Sequence, residues 1–174
     1  MKWGLITGMI YVIFSLATNM LGISQGNGGA GSVGIGLLST TVITLATYFT
    51  IYAGIKEFRD QELNGFIDMG QAFKTGMKIV VIAGVISAVF SFINMKLIDP
   101  GMFDRVLENA EDQWDKANMP EEQREMARKM MSIFSNPLLS VPFTLLWVAF
   151  VGAIKSLIAG AILKKEAPPT VPTA

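Results

Sequence analysis

Residues 95–136 read MKLIDPGMFDRVLENAEDQWDKANMPEEQREMARKMMSIFSN. They form the only long polar block in a chain of 174 residues that is 51% hydrophobic and 16% charged. An ordinary soluble domain carries roughly 25% charged residues, and the mean hydropathy here is +0.46. The block holds nine acids and six bases, a local charge of −3. Two apolar stripes run through it. Phe103, Val106, Leu107, Ala110, Trp114 and Ala117 recur every three or four residues, with Asp104, Arg105, Glu108, Glu111, Asp112 and Asp115 on the other side. Met119, Gln123, Met126, Met130, Ile133 and Phe134 repeat the spacing. Such periodicity predicts two amphipathic helices, a hairpin over about 101–135. Asn118 before Pro120 and Glu121 reads as a capped helix start. Glu121 with Arg124 and Glu125 with Lys129 read as ion pairs worth ~0.2–0.5 kcal/mol each. A hairpin of this size cannot hold a core alone.

On either side of the block the chain is apolar. Four runs, at about 3–23, 35–55, 72–97 and 137–163, are long enough to cross a hydrocarbon layer of ~30 Å at 1.5 Å per residue. The fold class expected is all-α: a polytopic membrane domain over 1–166, with the hairpin between the third and fourth spans. Residues 167–174 read as a disordered tail. The first run resembles a signal peptide in having a basic start at Lys2. Its apolar stretch is longer than a signal core and no clear cleavage site follows, so an uncleaved helix is expected.

The connectors carry two partial motifs. Gly26-Asn27-Gly28-Gly29-Ala30-Gly31 fits G-x-G-x-x-G by letter. A dinucleotide fingerprint needs a strand before it and a βαβ unit around it, so residues 24–34 read as a plain connector. Residues 60–71 begin like a calcium loop but place Gln71 where the bidentate Glu belongs. The simpler reading is a chain reversal at Asn64-Gly65 with Asp68 capping the next helix. Asp99-Pro100 ends the third span.

Within the spans, small residues predict close helix contacts. Gly84, Ser87, Ala88 and Ser91 form one such face, and Gly152, Ser156 and Gly160 another, with Ala149 and Ala153 beside it. Thr40, Thr44 and Thr47, with Thr41 and Thr50 alongside, give the second span a hydroxyl-rich face suited to helix packing or to lining a polar path. Lys155 is the one charge deep within a predicted span, which makes it the candidate functional residue. It lies nine residues before Lys164, roughly 13 Å deeper, and either snorkels, pairs with a neighbouring helix or contacts a substrate or ion. Arg59, Asp60 and Asp68 are its candidate contacts on the connecting loop.

The chain has no cysteine and no histidine. Disulfides, thiolate nucleophiles, zinc sites of Cys and His, and histidine bases are therefore excluded. No catalytic set, metal site or cofactor is expected. Glu108, Asp112 and Asp115 read as a solvated face, and Met126, Met130 and Met131 as packing rather than soft-metal ligands. Zero formal net charge gives no pull towards nucleic acid. Lys2, Lys56, Arg59, Lys74, Lys78, Lys164 and Lys165 gather on one side of a four-span topology. The positive-inside rule then puts both termini in the cytoplasm and the hairpin outside.

Four stretches carry a family likeness. They are Ile55–Gly76 (IKEFRDQELNGFIDMGQAFKTG), Leu97-Ile98-Asp99-Pro100 with Phe103, Met119-Pro120-Glu121-Glu122-Gln123, and Phe150–Glu166. On these the chain resembles the domain of unknown function 4199 family, small four-helix membrane proteins of certain Gram-negative bacteria. The resemblance implies an inner-membrane protein and no established activity. The leading expectation is a non-enzymatic scaffold or accessory subunit of a membrane complex. Its partners would be the lipid bilayer and either another protein or a second copy, docking at Trp114, Met126, Met130 and Phe134. The alternative is an oligomeric transporter or channel using Lys155 and the Thr-rich face.

Overall fold

The computed structural model describes residues 1–20 and 30–165. Residues 21–23 of the first expected span, 24–29 of the glycine connector and the tail 167–174 lie outside the described residues. The helices are α1 (Lys2–Met20), α2 (Ala30–Glu62), α3 (Met69–Ile93, continued by a π-helical turn Asn94–Ile98), α4 (Met102–Lys116), α5 (Glu121–Ser135) and α6 (Pro137–Leu163). Among the described residues the one extended pairing is an isolated bridge between Ile67 and Lys165. Four of the helical stretches, Lys2–Met20, Gly34–Glu62, Met69–Ile98 and Leu139–Leu163, are long and apolar enough to cross a membrane. The protein is all-α and membrane-embedded.

Two boundaries differ from the sequence expectation. Residues 30–34 and 56–62 are helical, so α2 extends beyond its apolar centre at both ends. Nothing in KEFRDQE breaks a helix, and the polar residues simply carry it past the apolar run. It stops at Asn64 (φ 52°) and Gly65 (φ 85°), two left-handed residues that Asn and Gly tolerate best. There the Gly65 N–H donates to the Arg59 carbonyl at 2.9 Å.

Asp68 then starts α3 as expected. Its carboxylate accepts the Gln71 N–H at 2.8 Å, and the Gln71 side chain accepts the Asp68 N–H at 3.1 Å, a reciprocal capping box. Gln71, which spoils the calcium pattern, is the residue the cap needs. The turn's Ile67, 1% exposed, exchanges two backbone hydrogen bonds with Lys165 at 2.9 and 3.0 Å. The loop between α2 and α3 is thereby stapled to the end of α6.

Helix α3 packs against all three other spans, and α1 and α6 lie on either side of the α2–α3 pair. The contact between α3 and α6 is the most extensive and follows from small residues. Gly152, Ser156 and Gly160 of α6 meet Val80, Gly76 and Ala72 of α3, one row descending as the other ascends. A methyl group on Gly76 would overlap Ser156, one on Gly152 would overlap Val80, and one on Gly160 would sit 3.1 Å from Ala72. Backbones brought this close gain dispersion contacts where lipid removes the hydrophobic drive. Gly4 and Gly8 of α1 meet Ile82 and Ile86 in the same way. The expected α3 face is only partly used. Gly84 and Ala88 turn inward while Ser91 is exposed, and a methyl on Gly84 would find ordinary contacts at 3.6 Å.

Helices α4 and α5 form the expected hairpin, but different contacts hold it. Asn118 (φ 50°) ends α4 rather than starting α5. The Met119 N–H reaches back to the Trp114 carbonyl at 2.9 Å, a Schellman closure, and Pro120 begins α5. Arg124 pairs with Asp115 across the hairpin instead of with Glu121. Arg128 bridges Glu111 at 2.8 Å and Glu121 at 2.9 Å. Antiparallel packing sets Arg124 and Arg128, four residues apart on α5, opposite Asp115 and Glu111, four apart on α4, while Arg128 also keeps Glu121 of its own helix. Glu111, and after it Glu121, hold the Arg128 guanidinium above its already high pKa by accepting its hydrogen bonds. Asp99 takes Arg105 at 2.6 Å, anchoring the start of α4 to the turn after α3.

Candidate functional site

One chain of polar groups runs through three helices inside the bundle. Thr7 (2% exposed), Thr47 (2%) and Thr50 (4%) are buried where α1, α2 and α6 meet. The Thr7 hydroxyl lies 2.7 Å from the Trp3 carbonyl and 2.8 Å from the Thr50 hydroxyl. Thr50 donates to the Thr47 carbonyl at 2.9 Å, and Thr47 donates to the Thr44 carbonyl at 3.1 Å. With its proton used, the Thr47 oxygen accepts the Lys155 ammonium at 2.6 Å. A cavity of about 140 Å³ adjoins this point, bounded among others by Tyr11, Thr44, Trp147 and Lys155.

Lys155 therefore takes a hydroxyl on a neighbouring helix. The loop residues expected as its contacts are engaged elsewhere. Arg59 pairs with Asp60 at 2.7 Å and reaches the Leu163 carbonyl at 3.4 Å, and Asp68 is spent on the α3 cap. The site offers one ammonium and several hydroxyls and, among the described residues, no carboxylate lines it. It can orient a small polar or anionic group.

The Thr-rich face divides. Thr47 and Thr50 point inward. Thr40 and Thr41 are exposed on the outer surface, each donating to its own backbone four residues earlier at 2.9 and 2.8 Å. The hydroxyls of α2 thus do not line a continuous track through the bundle.

The candidate docking residues also separate. Met126 (65% exposed) and Met130 (59%) stand on the open side of α5, and Ile133 (51%) continues their line one turn on. Trp114 is half-buried, with its carbonyl tied to Arg124. Phe134 belongs to α5, but its side chain lies outside what the structure describes. A cleft of about 560 Å³ separates the hairpin, at Phe103, Leu107 and Arg128, from Met95 and Lys96 at the end of α3. Among the described residues no three acidic side chains gather as metal ligands.

One cluster escaped the sequence. Glu57 accepts Lys2 at 2.5 Å on one carboxylate oxygen and the Trp3 indole N–H at 2.6 Å on the other. Fifty-four residues part Trp3 from Glu57, and no local pattern joins them. The amphipathic fit of Lys2-Trp3 to a membrane edge was the only signal available.

Neither the curated proteins nor the solved structures give a match to this chain. A family model described as "Protein of unknown function (DUF4199)" matches residues 2–165, and the chain belongs to that family.

Proposed function

We propose that the protein is a non-enzymatic scaffold or accessory subunit of a membrane complex that docks through its helical hairpin. The observation that carries this reading is the division of labour on α5. Arg124 and Arg128 hold the hairpin together on one side, while Met126, Met130 and Ile133 stand uncovered at i, i+4 and i+7 on another. Helix-in-groove recognition reads this spacing. The tightly seated glycines between α3 and α6 support a rigid base rather than a moving gate.

In this reading the protein lies in a bacterial inner membrane with both termini cytoplasmic and the hairpin outside. Seven bases at one end of the bundle, against a hairpin of local charge −3, support that orientation. The partner is another protein or a second copy, and nucleic acid has no part.

The test is gentle purification with quantitative mass spectrometry of what accompanies the protein. A partner at fixed stoichiometry, lost in a Met126→Glu, Met130→Glu double variant that still inserts and folds, supports docking through α5. Retention of that partner by the double variant excludes this face.

The second reading, an oligomeric transporter or channel, draws on the Lys155–Thr47 contact and its adjoining cavity. The outward placement of Thr40 and Thr41 weakens it. Loss of a membrane-flux phenotype in Lys155→Met, with partner binding intact, would favour it over docking.

A further inference from the structure

At the base-rich end a groove of about 990 Å³ opens among the first turns of α1, the last turns of α2 and the first turns of α3. Its charged lining is Lys2, Lys74 and Lys78 against Glu57 and Glu62, and its apolar lining includes Trp3, Met77, Val81 and Ile82. We propose that this groove binds an anionic phospholipid, with the phosphate on Lys74 and Lys78 and an acyl chain along α3.

Three features point to that occupant. The first is where the charge is free. Glu57 is neutralised by Lys2 and further held by Trp3. Lys74 and Lys78, four residues apart on α3, are exposed and have no ion pair among the described residues. The whole end, counted over the described residues, carries Lys2, Lys56, Arg59, Lys74, Lys78, Lys164 and Lys165 against Glu57, Asp60, Glu62 and Asp68, a net +3. Basic residues at a membrane edge attract anionic headgroups.

The second is the direction of the apolar surface. Below the two lysines the same face of α3 continues with Val81 (55% exposed), Val85 (52%) and Val89 (56%), an uninterrupted aliphatic strip. Lys78 to Val89 is eleven residues, about 16 Å at 1.5 Å per residue. That matches half of a hydrocarbon core of ~30 Å. A free phosphate would use the lysines and leave the strip and the groove's apolar wall without a role, whereas a diacyl lipid uses both.

The third is fixed geometry. The capping box at Asp68 and Gln71 and the Ile67–Lys165 bridge hold the first turn of α3, so the two ammonium groups rise from a rigid segment.

The experiment uses the full chain in phosphatidylcholine vesicles, with a small fraction of spin-labelled phosphatidylglycerol or spin-labelled phosphatidylcholine. The protein is expected to immobilise labelled phosphatidylglycerol roughly tenfold more strongly than labelled phosphatidylcholine. The preference should shrink as salt shortens the Debye length from ~10 Å at 0.1 M to ~3 Å at 1 M. Lys74→Gln with Lys78→Gln, both on the surface, should erase the preference. Lys56→Gln with Lys164→Gln removes the same charge from the same end and should preserve it. Equal immobilisation of both lipids by the unaltered protein would overturn the proposal. So would equal losses in the two double variants, which would mean diffuse surface charge. Full displacement of the labelled phosphatidylglycerol by excess inorganic phosphate would likewise overturn it, assigning the lysines to a soluble anion.

Discussion

At the base-rich end of the bundle all four spans are tied to one another within a few residues. Lys2 and Trp3 of α1 hold Glu57 of α2, Arg59 of α2 reaches the Leu163 carbonyl of α6, and the loop into α3 exchanges hydrogen bonds with Lys165. The fully buried side chains lie towards this end too, with Ile55, Ala72 and Ala159 at 0% exposure. At the hairpin end, the described ties between spans thin to an amide contact between Asn19 and Asn94 at 3.2 Å. Leu97 is 78% exposed, and an open cleft lies under α4. One end is welded by packing and the other is propped by charge. The two ends differ in how they are held, so substitutions at one should not act like substitutions at the other.

The largest effect is expected where α3 and α6 touch. Gly76→Val would drive its side chain into Ser156 and should cost about 3 kcal/mol, read as a lowered unfolding temperature in detergent by circular dichroism. Gly84→Ala, eight residues further along the same helix face, has room at 3.6 Å. It should be neutral, or gain up to ~1 kcal/mol from helix propensity. If both variants behave alike, close approach at Gly76 is not what holds α3 on α6.

Next in size is the cap. Asp68→Ala removes the acceptor for the Gln71 N–H and should cost about 1 kcal/mol, again as a shift of the whole transition because this end is tied to the rest. A purely local rise in amide exchange at residues 69–72, with no change in the transition, would show the two ends to be less different than the geometry says.

At the hairpin end the opposite pattern is expected. Arg124→Ala with Arg128→Ala removes ion pairs that are partly in solvent, each worth below about 1 kcal/mol. Amide exchange should quicken across residues 102–135 while the unfolding temperature of the bundle stays put.

The contrast was half legible in the sequence, and the division has a physical cause. Features that repeat along a single helix could be read. The spans follow from apolar length, the hairpin from its stripes, the Asp68 cap from its position before α3, and the Gly152, Ser156, Gly160 row from i, i+4 spacing. What escaped depends on which helix comes to lie opposite. The row of Ala72, Gly76 and Val80 that receives α6 is mixed in size and shows no pattern until its partner is placed. Arg124 has acids nearby in sequence yet takes Asp115, and Arg128 adds Glu111 to Glu121, because the antiparallel hairpin brings Asp115 and Glu111 to the guanidinium groups. Asn118 was read forward as a cap and acts backward, because its left-handed φ closes α4. Lys155 stands out in the sequence as a charge within an apolar run, but which side chain meets it depends on the turn of α2, which sends Thr47 inward and Thr40 and Thr41 out.

That residue supplies the smallest expected effect and the most informative one. Lys155 stands between the welded end and the propped end, and its one described partner is the Thr47 hydroxyl. Replacing it with Met keeps a long flexible side chain of similar reach and removes the ammonium. Thr47 continues to donate to the Thr44 carbonyl at 3.1 Å, so no buried donor is orphaned. The lost hydrogen bond, strengthened by its charge, is offset by the desolvation that a cation in a bilayer no longer suffers. Stability of Lys155→Met should therefore stay within about 1 kcal/mol of the unaltered protein. A larger loss would mean that the Thr7–Thr50–Thr47–Lys155 chain is itself a weld joining α1, α2 and α6. The rigid part of the molecule would then extend deeper than the packing of glycines alone implies.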